Sequence, residues 1–178
     1  QRAEQLFSFV QANVNYISDK DQFDLPEFAQ NADEMALMIE REDRAYGDCE
    51  DYATLLAVMC QGAGLRSAIV LSVDHAAALI HVPGYSKANR TLSLNGEDGW
   101  VWAEATGKNN PLGWTPERYI GAPLAARETE DEGLPRNPPA DRPTVTISRN
   151  TGTGWTAGIS PFLLILLFVW LFTRLRPG

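Results

Sequence analysis

The sequence has few cysteines, few histidines and a shortage of basic residues. Its 178 residues contain two Cys and two His, and 15 Lys and Arg stand against 23 Asp and Glu, giving a formal net charge of -8. Two cysteines are too few for a disulfide framework. An acidic chain lacks the basic surface that nucleic acid requires, so we exclude nucleic acid as a partner and keep a basic substrate or partner open. This length supports one folded domain plus a linker or an anchor.

The amino-terminal half of the sequence has the apolar spacing of helices. In residues 2–16 the large apolar side chains recur every three or four positions, and residues 31–42 and 49–62 show related patterns. We therefore predict three helices. Gln1 leads directly into the first of them without a methionine or a targeting segment, so we expect the chain to have been cut or processed from a longer protein.

An acidic stretch at residues 18–26 separates the first two predicted helices. Asp19, Asp21 and Asp24 suggest calcium ligands, but the stretch lacks the glycine and the distal glutamate that an EF-hand loop requires. We interpret it as a solvated loop.

The apolar pattern changes period after residue 64. Short runs rich in β-branched and aromatic residues are separated by turn signals such as Pro-Gly and Asn-Gly, and they lie at residues 67–73, 75–82, 90–94 and 100–105. Helices followed by consecutive short strands are typical of an α+β fold, with the helices packed on an antiparallel sheet. We expect this domain to occupy residues 1–125.

The carboxyl-terminal part has a different composition. Residues 126–154 are rich in Pro, Gly, Thr and charge, which predicts a flexible linker. Residues 155–173 contain no charged side chain and are nearly long enough to cross a hydrocarbon core, although a buried or interfacial helix is the alternative. We predict a transmembrane helix there. Arg174 and Arg176 follow it, so the positive-inside tendency places residues 174–178 in the cytoplasm and the folded domain outside.

Cys49 is the first candidate for chemistry, because it begins a predicted helix. Unpaired N–H groups and the helix dipole lower the pKa of a thiol in a first turn. Glu50 and Asp51 oppose thiolate formation, so a nearby imidazolium has to outweigh them. Cys60 lies eleven residues further along the same helix, about 16 Å away, so the two thiols cannot form a disulfide. We interpret Cys60 as a core residue.

The two histidines lie on one predicted strand. His75 and His81 are separated by an even number of residues, so both project from the same face and alternation does not choose between them. Glu104 is a carboxylate in an otherwise apolar strand, where it needs a partner such as an imidazole. The two cysteines and two histidines offer no close ligand pair for zinc, and we predict no metal and no cofactor.

Three motifs surround these candidates in order. Residues 47–53 read Gly-Asp-Cys-Glu-Asp-Tyr-Ala, residues 75–77 read His-Ala-Ala, and residues 100–106 read Trp-Val-Trp-Ala-Glu-Ala-Thr. Together they resemble the nucleophile helix, the histidine strand and the acid strand of the transglutaminase-like superfamily, particularly its bacterial and archaeal members. The resemblance extends over about residues 6–115.

This resemblance implies a papain-like core and a catalytic triad. Cys49 would be the nucleophile, His75 the base and Glu104 the acid that orients the imidazole, although many relatives have Asp at the last position. The segment between His75 and Glu104 is also longer than in compact members. Gln30 would be a candidate oxyanion donor, as a glutamine is in papain-like enzymes.

The resulting functional hypothesis is an extracytoplasmic, membrane-anchored enzyme that acts on amide or peptide bonds through a thioester. The triad alone does not distinguish a hydrolase from an acyltransferase. The alternative is a non-catalytic transglutaminase-like subunit or binding module of a membrane complex. The expected partners are a protein or peptide substrate, membrane lipid around the carboxyl-terminal helix and, in the alternative, other subunits of the complex.

Overall fold

The computed structural model describes residues 1–129 and 145–147. The helices come first along the chain: α1 Arg2–Asn13, α2 Asp19–Phe23, α3 Ala32–Glu42 and α4 Cys49–Gly62. Two short strands lie between them, β1 Val14–Tyr16 and β2 Ala45–Gly47. The remaining strands are β3 Ser67–Leu71, β4 Ala76–His81, β5 Leu92–Leu94, β6 Glu97–Ala103, β7 Ala125–Glu128 and β8 Val145–Ile147. A 3₁₀ helix, Glu117–Tyr119, precedes β7.

Six strands form one antiparallel sheet. Their order across the sheet is β7-β3-β4-β6-β5-β8, so β4 is an inner strand between β3 and β6. Strands β1 and β2 form a separate parallel pair. The α+β class expected from the sequence is therefore confirmed, with helices packed against an antiparallel sheet.

Helix α4 connects the helical layer to the sheet. It begins with a capping box in which the Asp48 and Asp51 side chains each accept a backbone N–H at the first turn. It ends before Gly64, whose φ of +75° breaks the helix. Its buried residues include Leu55 and Leu56, in the same cluster as buried residues of β4 and β6. Burial of each such leucine stabilises the fold by about 1.5–3 kcal/mol.

The opposite face of the sheet has its own apolar core. Trp100 and Trp102 of β6 are 0% and 1% exposed and lie in this second cluster. The 3₁₀ helix adds Tyr119, which is also buried there. Because both faces of the inner strands are covered, β4 is apolar at nearly every position and does not alternate between apolar and polar residues.

Two amino-terminal predictions differ from the structure. The helix predicted over residues 2–16 ends at Asn13, because the next three residues pair with β2 as strand β1. Tertiary pairing overrides the helical spacing there. The acidic stretch predicted as a loop contains α2, which is stabilised at its start when the Ser18 side chain accepts the Asp21 N–H.

The predicted linker, residues 126–154, also contains strand residues. Strand β7 pairs with β3, and β8 pairs with β5, so the domain boundary predicted at residue 125 falls within a strand. These edge strands could not be predicted from the sequence, because they are stabilised by pairing with β3 and β5 and have no clear apolar pattern of their own. Glu128, for example, accepts hydrogen bonds from the Arg66 guanidinium.

Within residues 1–129 and 145–147, no helix combines the length and apolar character that crossing a membrane requires. The predicted transmembrane helix at residues 155–173 and the tail at residues 174–178 lie outside the described residues.

Candidate active site

Cys49 is the first residue of α4 and is partly exposed. The backbone before it is fixed by Asp51, which is fully buried and accepts the Asp48 N–H at 3.2 Å. Gly47 leaves room for this arrangement, because a Cβ at that position would lie 2.6 Å from the Asp51 Cβ. The motif residues on either side of the cysteine therefore set where its sulfur lies.

Gln30 completes this support and does not match its predicted role. Its backbone N–H and its Nε2 donate to the two Asp51 carboxylate oxygens at 2.7 and 2.8 Å, and Nε2 also donates to the Tyr46 carbonyl at 2.8 Å. Both amide hydrogens are thus engaged. The suggestion that Gln30 donates to an oxyanion is therefore wrong for this conformation, since its side chain ties the loop before α3 to α4.

His75 and Glu104 meet where two neighbouring strands end. His75 directly precedes β4, and Glu104 directly follows β6, its antiparallel neighbour. The His75 Nε2 lies 2.7 Å from Glu104 Oε2, and the two side chains are 11% and 6% exposed. The structure therefore brings two of the three predicted site residues into direct contact.

Glu104 is held in its charged form. Burial alone would raise the pKa of its carboxyl, but hydrogen bonds from His75 and Thr106 and the Trp102 indole N–H together lower that pKa. Trp102 Nε1 donates to Oε2 at 3.2 Å, and the Thr106 hydroxyl donates to Oε1. A carboxylate that stays ionised can orient an imidazole and stabilise an imidazolium.

His81 lies at the other end of β4. Its Nε2 is 3.0 Å from the Asp98 carbonyl oxygen and 3.5 Å from a Glu97 carboxylate oxygen, and its ring packs beside Trp100. Six residues of extended chain, about 20 Å, separate it from His75. The structure thus distinguishes the two histidines that alternation left equivalent, and His75 is the one that contacts Glu104.

The Cys49 sulfur lies beside the residue that follows His75. The backbone N–H of Ala76 is close enough to the sulfur to lower the pKa of the thiol, and the thiol donates to Glu50 Oε2 at 3.3 Å. Because Glu104 occupies Nε2 of His75, Nδ1 is the ring nitrogen left for a proton from Cys49. The start of α4 and the start of β4 therefore converge.

The pKa of the Cys49 thiol is shifted upward, opposite to the direction expected from its position at the start of a helix. Burial, followed by the hydrogen bond to Glu50 and the negative charges of Glu50 and Asp48, raises the pKa of the Cys49 thiol to about 12. The N–H of Ala76 acts in the opposite direction without outweighing them. At neutral pH the thiol is therefore protonated, and a base has to remove its proton during any nucleophilic attack.

Residues 1–116 match the family model of the transglutaminase-like superfamily. The chain belongs to that superfamily. The match extends from α1 past β6 to the residue before the 3₁₀ helix, and it includes all three predicted site residues. No curated protein matches the sequence. Membership in the superfamily confirms the resemblance, while the catalytic roles of Cys49, His75 and Glu104 stay a prediction.

Tyr119 is a site residue that the sequence analysis missed, and it lies just beyond the part that matches the superfamily. Its ring stacks on the His75 imidazole, with centroids 5.6 Å apart and an interplanar angle of 1°. It also stacks on Trp102 at 5.2 Å, and the Arg118 guanidinium lies 4.5 Å from its centroid. A single tyrosine in a short 3₁₀ helix gives no sequence signal for this contact.

Acidic side chains gather on the other side of Cys49. Asp19, Glu27 and Glu50 place carboxylate oxygens within 4.8 Å of one another, as do Asp19, Asp48 and Asp51. Burial and the neighbouring Asp48 carboxylate raise the pKa of Glu50 to about 8. Cys49 Sγ and carboxylate oxygens of Asp48 and Glu50 form a third group of this kind, and these three groups are the ones among the described residues that could hold a metal ion.

Proposed function

We propose that this domain is a cysteine-dependent enzyme acting on amide or peptide bonds of a protein or peptide substrate. Cys49 Sγ attacks the carbonyl carbon while its proton passes to His75 Nδ1. Collapse of the tetrahedral intermediate forms a thioester, and the leaving amine takes the proton back from His75. Water or a second amine then attacks the thioester and regenerates the thiol. Glu104 keeps the imidazole oriented and stabilises its charged form.

The contact between His75 and Glu104 carries this proposal. A partly buried imidazole 2.7 Å from an ionised carboxylate is arranged to accept a proton at its other nitrogen. The raised pKa of Cys49 fits a mechanism in which proton transfer accompanies attack, instead of one that starts from a free thiolate. The first-turn N–H groups of α4 are the candidate donors to the oxyanion.

We also propose the membrane arrangement as part of this function. The uncharged residues 155–173 would anchor the chain in lipid, with residues 174–178 in the cytoplasm and the domain on the extracytoplasmic side. The support is compositional: an apolar run followed at once by Arg174 and Arg176.

A second candidate function is a non-catalytic binding module or subunit of a membrane complex. The surroundings of Cys49 favour it, because burial and the acidic neighbours Glu50 and Asp48 raise the pKa of the thiol and keep it protonated at neutral pH. A fold alone does not fix a function. In this alternative the three side chains would stabilise the junction between α4 and the sheet.

Thiol alkylation distinguishes the two candidates. Iodoacetamide labelling of Cys49, followed by mass spectrometry, should be about tenfold faster in the native wild-type chain than in a His75→Gln variant. Cys60 is fully buried and provides the internal control, since it should be labelled only after unfolding. Equal native labelling rates in the two proteins would favour the non-catalytic module.

A further inference from the structure

Tyr119 is covered on both faces of its ring, and the group on its outer face is a cation. His75 Nε2 and Trp102 Nε1 both contact Glu104 Oε2, so these two nitrogens lie less than about 6 Å apart. Rings stacked on opposite faces of the phenol would lie about 7 Å apart or more, because each stacking contact needs about 3.5 Å. The imidazole and the indole therefore share one face, and the Arg118 guanidinium, 4.5 Å from the ring centroid, covers the other.

Arg118 is exposed, and its charge is not neutralised within the part of the chain that the structure describes. In residues 1–129 the guanidinium takes part in no ion pair, although Glu117 precedes it in the 3₁₀ helix. Asp74, on the turn before β4, also lies near the phenol, but its Oδ1 accepts the Ser72 hydroxyl at 3.1 Å. The N–H donors of the guanidinium are therefore available to an anion from outside the chain.

The two sides of the candidate site carry charges of opposite sign. Asp48 and Glu50 flank Cys49 on one side. On the other side, the two stacking contacts place the Arg118 guanidinium carbon no more than about 10 Å from the centroid of the His75 imidazole. A negative group of a substrate is therefore attracted at the histidine side of the site and repelled at the cysteine side.

The proposed acyl transfer determines which part of a substrate passes the histidine. His75 returns its proton to the leaving amine, so the nitrogen of the cleaved amide lies next to the imidazole. An extended chain advances about 3.3 Å per residue, and a hydrogen bond from the guanidinium to a carboxylate spans about 2.8 Å. A carboxylate one or two residues beyond the cleaved bond can therefore reach Arg118.

We propose that Arg118 is a specificity-determining residue that binds a carboxylate on the leaving-group side of the peptide substrate. This inference rests on the proposed function, since it requires a leaving amine at His75. A guanidinium matches a carboxylate as a planar fork with two parallel hydrogen bonds, which a lysine cannot form. The carboxylate belongs either to the carboxyl terminus of a short peptide or to an acidic side chain close to the cleaved bond.

Two alkylating reagents that differ in a single charge test the proposal on the full chain. Iodoacetyl-glycyl-glycine ends in a carboxylate and its carboxamide is neutral, and in both the dipeptide extends from the CH₂ carbon that Cys49 attacks. Mass spectrometry gives the labelling rate of Cys49 with each reagent, and the ratio of the two rates separates the effect of the charge from the reactivity of the thiol. Arg118→Gln should lower this carboxylate-to-carboxamide ratio about three- to tenfold, as expected for one charge-assisted pair at a partly exposed site.

Matched variants separate a local contact from the overall charge of the chain. Arg41→Gln removes one positive charge from an exposed position of α3, outside the ion pairs of residues 1–129, and should leave the ratio unchanged. Arg118→Lys keeps the charge without the planar fork and should give an intermediate ratio. About 0.5 M NaCl should bring the wild-type ratio close to that of Arg118→Gln, because salt screens an exposed pair.

A second pair of reagents identifies the source of the carboxylate. Iodoacetyl-glutamyl-glycinamide and iodoacetyl-glutaminyl-glycinamide place the charge, or its neutral equivalent, on a side chain. A lowered ratio in Arg118→Gln for the first pair alone supports recognition of a carboxyl terminus, and a lowered ratio for the second pair alone supports recognition of an acidic side chain. A lowered ratio for both pairs supports recognition of either group.

Two results would overturn the proposal. The first is an equal ratio in wild type and Arg118→Gln with both reagent pairs, in chains that circular dichroism shows to be folded, which would reduce Arg118 to a cover for Tyr119. The second is an equal fall of the ratio in Arg41→Gln, which would report overall charge alone. The neutral carboxamide tests the proposed function separately, since equal labelling of wild type and His75→Gln would contradict the catalysis whatever the ratios show.

Discussion

The imidazole ring of His75 and the phenol ring of Tyr119 lie parallel, with their centroids 5.6 Å apart. Glu104 fixes one edge of the imidazole through Nε2, and Tyr119 covers one of its faces. Trp102 completes the enclosure, since it stacks on Tyr119 and donates to Glu104. The ring is therefore restrained in both its rotation and its tilt, which is what a proton acceptor with a fixed target requires.

We predict that Tyr119 acts as a positioning residue for His75. Aromatic stacking of this kind contributes about 0.5–1.5 kcal/mol, so Tyr119→Leu, which retains apolar volume, should slow native alkylation of Cys49 by up to about tenfold. Tyr119→Phe keeps the ring and should behave as wild type. NMR signals of the His75 ring should shift or broaden in the Leu variant alone. Equal His75 spectra in both variants would limit Tyr119 to a packing role.

The elements that could be predicted are those in which the local sequence favours the same structure as the tertiary contacts do. Cys49 begins a helix because Asp48 and Asp51 cap it, and those residues are visible as a motif. The strands that carry His75 and lead to Glu104 were visible as short β-rich runs between turn signals, whereas the pairing of β4 with β6 skips β5 and was not. The helical order and the antiparallel sheet are likewise local signals, which explains why the α+β class could be predicted.

The remaining features depend on contacts between distant segments. Gln30 is 21 residues from Asp51 in sequence, and nothing near it shows that its amide is already engaged. Strand β7 has the weak β-forming sequence Ala-Ala-Arg-Glu and exists because β3 offers an edge. Asp19 is buried, although its neighbours in sequence are polar and suggested a solvated loop. Such features are set by tertiary structure and leave little trace in local composition.

We predict that the two histidines contribute unequally to reactivity. His75→Gln should lower Cys49-dependent activity, assayed as casein cleavage or incorporation of a fluorescent primary amine into casein, by about 10²–10⁴-fold because the proton acceptor is lost. His81→Gln is the matched control. It lies at the far end of β4 and should keep activity within about twofold. A greater loss in His81→Gln than in His75→Gln would contradict the assignment.

We predict that Glu104 stabilises the fold only above acidic pH. Because its carboxyl has a lowered pKa in the folded chain, the stability that it contributes is present above its unfolded value of about 4.3 and is lost as pH falls through the folded value. Urea denaturation should therefore show that the free energy of unfolding falls more between pH 7 and pH 3 for wild type than for Glu104→Gln. A Gln variant that loses as much stability as wild type over this interval would indicate that Glu104 does not contribute to the acid sensitivity.

The last prediction concerns Gly47, which allows Asp51 to approach the backbone in front of Cys49. A Cβ at Gly47 would lie 2.6 Å from the Asp51 Cβ, and Asp51 has no free space because it is fully buried and hydrogen-bonded to Gln30. Gly47→Ala should therefore lower the free energy of unfolding by about 1–3 kcal/mol, as overpacking of a buried site does.

Gly62 supplies the matched control for this substitution. It is the last residue of α4, and no atom lies within 4 Å of a Cβ built on it, so Gly62→Ala should be neutral or stabilise the helix by up to about 1 kcal/mol. Urea denaturation curves of both variants measure the difference. Because Asp51 also sets the start of α4, Gly47→Ala should change the native alkylation rate of Cys49, whereas Gly62→Ala should not. Equal stability and equal alkylation in the two variants would show that the glycine before Asp48 is not required for the geometry of the site.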